Sequence, residues 1–189
     1  KYAYFCAQSY RDAGQPQTAI EWFKRNISHC TEHTEPIRFS LIALGNLYQQ
    51  LGRSADAVQA WLHAYDHQPQ HAESLVILAE HFLAEKRHQL AFDCALKSTQ
   101  LPWPEVNNTI VFDENVFRYG SWNALLRSAL VLKKWDMAYQ ATKQLLNEPE
   151  SDVRLNHFLR SALVLLSFKF EQESAEERRV LYQKIESLK

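Results

Sequence analysis

Small residues recur along this chain in a repeated setting, and that recurrence limits the folds open to it more than any other feature. Ala19, Ala57, Ala91 and Ala138 lie 38, 34 and 47 residues apart. The setting is most complete in residues 41–69, where Leu44, Gly45, Tyr48, Gly52, Ala57, Trp61, Ala64 and Pro69 follow one another. Small side chains at Gly45 and Ala57 let two antiparallel helices approach closely. Gly52 takes a left-handed backbone cheaply and ends the first helix, while Pro69 stops the second. Tyr48 and Trp61 are expected to fill the gaps between successive hairpins.

This order of residues resembles the tetratricopeptide (TPR) repeat, whose units run to about 34 residues. Residues 3–31 show it again through Ala7, Tyr10, Gly14, Ala19 and Phe23, with Asn26 in place of the second Ala. Residues 75–102 show it through Leu78, Ala79, Phe82, Ala91, Ala95 and Pro102, with Lys86 where the turn Gly belongs. A fourth, weaker copy runs from Trp122 through Leu125, Leu126, Ala129, Ala138 and Leu145 to Pro149. The expected fold is all-α, a TPR-like superhelical array of antiparallel helix hairpins, an α-solenoid forming one domain over 1–189. Its repeats cover about 1–35, 37–70, 71–103 and 116–150.

The long intervals mark insertions around His29–Pro36 and around Pro102–Tyr119, the second with an apolar Ile110-Val111-Phe112 patch. Beyond Pro149, Ser151–Phe170 reads as an apolar-striped helix, and Ser174-Ala175-Glu176-Glu177 supplies a capping box for a charged last helix to Lys189. Residues 151–189 are thus expected to cap the array, whose exposed end needs a polar surface. The chain begins inside the first helix of repeat one, so a fragment of a longer chain is expected.

Composition agrees with helices: only four Gly and six Pro occur among 189 residues, and the stretches between them are rich in residues that lose little side-chain freedom in a helix. The net charge of −1 gives no excess of cations to hold nucleic acid or an anionic membrane. No apolar run reaches the roughly 18–20 residues that span a bilayer. Cys6, Cys30 and Cys94 are widely spaced, with no C-x-x-C pair, which argues for a reducing, cytoplasmic setting. The sequons at Asn26 and Asn107 read as chance occurrences.

A finer resemblance lies in the opening Lys1-Tyr2-Ala3-Tyr4-Phe5-Cys6-Ala7-Gln8-Ser9-Tyr10-Arg11-Asp12-Ala13-Gly14. It is similar to the first repeat, approximately R-Y-x-F-Y-L-A-Q-S-Y-R-D-A-G, of the helical domain that follows some nucleotide-sugar glycosyltransferase modules. Leu62-x-Ala64-Tyr65-x-x-x-Pro69-x-x-Ala72-Glu73, Leu101-Pro102-x-Pro104 and Val116-Phe117-Arg118-Tyr119 resemble the same domain, so that the likeness extends over residues 1–146. It departs at Ser28–Pro36. The resemblance implies an accessory domain beside a glycosyltransferase, with a protein, a peptide or a glycan acceptor chain as partner; the alternative is a free-standing TPR scaffold or adaptor that mediates protein–protein interaction. No catalytic residue of that family maps here, no D-x-D motif occurs, and no cofactor is implied.

Chemistry in the chain itself is weakly signalled. His63 and His67 share one helix face, with His71 beyond the Pro69 turn, and His29, Cys30 and His33 cluster in an insertion; both patterns read as solvated histidines. Asp113-Glu114 reads as the opening of a helix through Val116, Phe117 and Tyr119, with Asp113 as its N-cap. No Gly-rich phosphate loop or nucleophile elbow is present.

Binding is therefore expected on the first helices of the hairpins, which line the concave side of such arrays. The register places Tyr4, Gln8, Arg11 and Asp12 there in repeat one, Ile42, Asn46 and Gln49 in repeat two, Glu80 in three, and Asn123 and Arg127 in four. This is a polar groove of mixed character without the Lys and Arg cluster needed to grip a C-terminal carboxylate. Arg11 is a candidate for pairing with its neighbour Asp12.

Overall fold

The computed structural model describes residues 2–29, 35–102 and 113–147, together with Ala162. Every regular element among the described residues is helical: α1 (Tyr2–Asp12), α2 (Pro16–His29), α3 (Glu35–Gln50), α4 (Ser54–His67), α5 (Glu73–Ala84), α6 (His88–Thr99), a π-helical turn (Val116–Gly120), α7 (Ser121–Val131) and α8 (Trp135–Asn147). Two compact units result. The first takes residues 1–78 and 100–113, the second residues 79–99 and 114–189.

Four turns of one design join the helices within each hairpin. Gly14, Gly52, Lys86 and Lys133 all have left-handed backbones, with φ of 71°, 73°, 60° and 57°. Each is followed by a residue whose N–H reaches back five positions: Gln15 to the Tyr10 carbonyl, Arg53 to Tyr48, Arg87 to Phe82 and Lys134 to Ala129, at 2.8–2.9 Å. This is the Schellman arrangement, which satisfies the carbonyls orphaned at a helix end. Two of these turns carry a further clasp, because the Arg53 guanidinium lies 4.4 Å from the Tyr48 ring centre and Arg87 4.8 Å from that of Phe82.

A left-handed backbone costs a non-glycine residue about 1–2 kcal/mol, against about 0.5–1 kcal/mol for the extra freedom glycine loses on folding. Lys86→Gly and Lys133→Gly are each expected to stabilise the chain by about 0.5–1 kcal/mol, raising the thermal midpoint by about 2 °C. Scanning calorimetry is the check, and a lowered midpoint for either variant contradicts the turn geometry.

In the first unit α1 packs on α2, α2 on α3 and α3 on α4. Ala7, Ala19, Ala57 and Ala64 are fully buried, as their small size at helix contacts requires. Trp61 is also fully buried and rests against the first helix of its own hairpin: a Cβ placed on Gly45 of α3 would fall 2.3 Å from its Nε1. The longer first interval has its own fastener, since Asn26 of α2 donates to Ser40 Oγ at 2.9 Å and to the Pro36 carbonyl at 3.4 Å. Asn26 is 2% exposed, so the sequon it begins lies inside a helix contact.

In the second unit α6 and α8 both pack on α7. Ala79, Phe92, Ala95, Ala124, Leu125, Leu126, Ala129, Ala138, Ala141 and Leu145 form its core, and Ala162 joins them. The stretch expected to form an α-helix behind Asp113 opens at Glu114 but passes into the π turn, which holds Val116, Phe117 and Tyr119. Ser121 closes that turn, its N–H and its Oγ both donating to the Val116 carbonyl. The Pro102–Tyr119 insertion over 103–112, the loop with Cys30 and His33, and the capping helices apart from Ala162 lie outside the described residues.

Candidate interaction site

The residues expected to bind divide between the two units. Tyr4, Gln8, Arg11, Asn46 and Gln49 belong to the first; Glu80, Asn123 and Arg127 belong to the second.

In the first unit, Tyr4, Gln8 and Arg11 lie on α1, one helical turn apart. Gln8 Nε2 donates to the Tyr4 phenol at 3.0 Å. Burial pushes the Tyr4 phenol above its ordinary pKa, while the Arg11 and Arg38 charges pull it the other way. The Tyr4 ring packs edge-on against Phe23, which fixes the phenol from behind. Arg11 pairs with Asp12 at 2.9 Å, as their adjacency allows. On α3, Asn46 and Gln49 are exposed and Ile42 is half-buried. Asn46 is also structural, because its Oδ1 accepts from the Trp61 indole at 3.1 Å.

Beside these stands a cluster that the sequence reading missed. Arg38 of α3 is fully buried. Its Nε donates to Gln68 Oε1 at 2.9 Å, its Nη1 lies 3.1 Å from Glu73 Oε1, and its guanidinium stacks 4.4 Å from the Phe39 ring centre. His71, 2% exposed, lies 3.6 Å from the other Glu73 oxygen. Gln68 caps the end of α4 and Glu73 opens α5, so the cluster ties three helices together. A carboxylate in the first turn of α5 also complements the positive end of that helix.

In the second unit Glu80 of α5 and Arg127 of α7 form an ion pair, and Asn123 stands one turn before Arg127, half-exposed. Cys94 is partly buried, and burial, with Asp93 nearby, pushes its thiol up to about 11. The protonated thiol is a poor nucleophile. Among the described residues no three His, Cys, Asp or Glu side chains are gathered as a metal would require. His63 is exposed, whereas His71 is engaged with Glu73.

No helix among the described residues is long and apolar enough to cross a membrane. No protein-family model matches the sequence, and no curated protein matches it. Solved structures do. The crystal structure of MamA superposes with a TM-score of 0.63 at 17% identity, over 96% of this chain and 93% of that one. The TPR-like repeats of a Podosopora anserina kinesin light chain superpose with a TM-score of 0.61 at 16% identity, over 99% of this chain and 93% of theirs. With its left-handed turns, buried alanines and helix hairpins, this chain has the TPR-like, all-helical fold of the α-solenoid class.

Proposed function

We propose that this chain is a non-catalytic interaction module of the TPR type, a scaffold or adaptor that takes up an extended protein segment of low net charge along α1 and α3. Gln8 and Gln49 supply amide donors and acceptors for a peptide backbone, and Tyr4 and Ile42 supply apolar contact; in the second unit Glu80, Asn123 and Arg127 are proposed, separately, as partner contacts. The observation that carries this reading is self-neutralisation. Arg11 pairs with Asp12, Arg127 with Glu80 and Arg38 with Glu73. What these helices offer a partner is therefore mainly amide and hydroxyl groups. The relatives in fold include a protein with TPR-like repeats.

A second reading makes the chain the accessory domain of a glycosyltransferase. Its support is the opening stretch through Gly14. Of the residues in that stretch, Ala7 is buried in helix packing, the Tyr10 carbonyl accepts the turn bond, and Gly14 forms the turn. Any TPR-like hairpin needs those features, so the match adds little about function and the scaffold reading is preferred.

Panning a random peptide display library against the chain tests the proposal. Enriched peptides are expected to be low in net charge and to lose less than about threefold in affinity between 0.05 and 0.5 M salt, since few charges need desolvation or screening. The double variant Gln8→Ala/Gln49→Ala is expected to weaken them about tenfold, roughly 1.4 kcal/mol, with helicity unchanged. These two residues are chosen over Asn46, whose loss would also disturb Trp61. Strongly acidic ligands with steep salt dependence would overturn the reading. So would saturable binding of a nucleotide sugar with Mn²⁺ tighter than about 100 μM.

A further inference from the structure

The turns of the second unit differ from those of the first in charge. Gly14-Gln15 carries none, and Arg53, which follows Gly52, is paired with Asp56 at 2.7 Å. At the same place the second unit has Lys86-Arg87 and Lys133-Lys134. Lys86, Arg87 and Lys133 are exposed and Lys134 is half-buried. Lys86 and Lys133 hold the left-handed backbone, at φ 60° and 57°, that glycine adopts with less strain. Strained backbones of this kind cluster at functional positions.

Two contacts bring these turns to one edge of the unit. Glu80 of α5 bonds Arg127 of α7, and each stands six residues before the left-handed lysine of its own turn. Lys134 Nζ lies 3.7 Å from the ring centre of Phe92 in α6, the helix that begins just after Arg87. Two carboxylates stand in the same stretches: Glu85, which lies 3.3 Å from His81 and 3.7 Å from Arg87, and the exposed Asp136. Aliphatic side chains flank the cations, since Leu90 in the first turn of α6 is 39% exposed and Val131 at the end of α7 is 53% exposed.

We propose that this edge docks an acidic segment of a partner protein, with spaced Asp and Glu against Lys86, Arg87, Lys133 and Lys134 and apolar residues on Leu90 and Val131. Arg87 and Lys134 lie over the rings of Phe82 and Phe92, both buried, so two of the four charges are held in place before a partner arrives. Groups fixed in advance lose less freedom on binding. Glu85 and Asp136 interrupt the cations, which suits spaced carboxylates better than a nucleic-acid duplex with about one charge per 1.7 Å of axis. Leu90 and Val131 also favour a protein, because a phosphate backbone gives them nothing apolar to cover. Exposed ion pairs each strengthen binding severalfold at most, so the expected Kd is about 0.2 mM in 0.15 M salt. That is weaker than the washing of a display library retains, and ligands enriched by panning still report on α1 and α3.

The probe is a fluorescent peptide of about twelve residues repeating Glu-Glu-Leu, titrated with the whole chain and followed by anisotropy. In 0.05 M salt it is expected to bind with a Kd of about 20 μM, and about tenfold more weakly in 0.15 M as the charges are screened. Lys86→Gly/Lys133→Gly is expected to fold with a raised thermal midpoint and yet to weaken the peptide about tenfold in 0.05 M salt, as the loss of two exposed pairs allows. A peptide with Ser in place of Leu is expected to bind about threefold more weakly, roughly 0.7 kcal/mol. Gln8→Ala/Gln49→Ala is expected to leave the acidic peptide unaffected, which separates this edge from the surface proposed above. Equal affinity for the parent and the folded double-glycine chain overturns the inference, and so does loss of the peptide on changing Gln8 and Gln49. Tighter binding of a single-stranded oligonucleotide of the same length, or of vesicles rich in anionic lipid, also overturns it by making a phosphate surface the occupant.

Discussion

Replacing Glu73 by leucine is expected to destabilise the chain by about 3–5 kcal/mol, the scale for removing one member of a buried ion pair. Arg38 is fully buried and cannot swing into water when its carboxylate is removed. Gln68 still accepts from Nε, and the Phe39 ring still lies beneath the guanidinium, but neither carries a negative charge. The double variant Arg38→Met/Glu73→Leu replaces both charges by apolar groups of similar length, and such replacements are often neutral or stabilising. It is expected to recover most of the loss, so that the two substitutions are strongly non-additive. Denaturant unfolding of both single variants and the double gives the coupling directly. A Glu73→Leu chain within about 0.5 kcal/mol of the parent would mean that water reaches Arg38 and that the cluster does not hold α5 to α3.

That cluster also marks where sequence reasoning ran out. Gly14 and Gly52 were legible as turn residues because a left-handed backbone favours glycine so strongly. Lys86 was legible only by its place in the repeat, as a lysine standing where glycine belongs, yet it adopts the same backbone at φ 60°. The buried alanines were legible from their spacing, since a small residue that recurs in one setting answers to one packing geometry. Arg38 gave no such signal. It stands in Pro36-Ile37-Arg38-Phe39-Ser40, where an arginine is ordinarily taken to be solvated, and its partners Gln68 and Glu73 lie across a helix and a turn. Asn26 looked like a lapse from the repeat and proved to be a cross-link between helices.

The same contrast holds among the residues expected to bind. Arg11–Asp12 was readable from adjacency, whereas the pairing of Glu80 with Arg127, 47 residues apart, required the fold. The bond from Trp61 to Asn46 likewise gave a residue read as a binding contact a structural role as well. The π turn at Val116–Gly120 had no herald in the sequence, because its composition does not differ from that of an ordinary helix start.

Gly45→Ala is expected to cost about 3 kcal/mol, the upper part of the range for overpacking a filled core. An alanine Cβ at this position would lie 2.3 Å from Trp61 Nε1, 2.5 Å from Cδ1 and 2.8 Å from Cε2. Helix propensity alone favours alanine by about 1 kcal/mol, so a net loss is attributable to the indole. The ring has little room to yield, since Trp61 is fully buried and its N–H is engaged by Asn46 at 3.1 Å. Either α3 and α4 separate around the new methyl group, opening contacts along the hairpin, or the indole tilts and gives up its hydrogen bond. Trp61→Phe removes the pyrrole edge that the methyl group strikes. On its own it leaves a cavity and an unoccupied Asn46 carbonyl, and is expected to cost about 1–3 kcal/mol. Combined with Gly45→Ala, the new methyl fills part of that cavity. The double variant is therefore expected to be more stable than the sum of the two single losses by at least about 1 kcal/mol. Thermal unfolding of the four chains settles the comparison: additive losses, or a Gly45→Ala chain as stable as the parent, would show that Trp61 does not rest on Gly45.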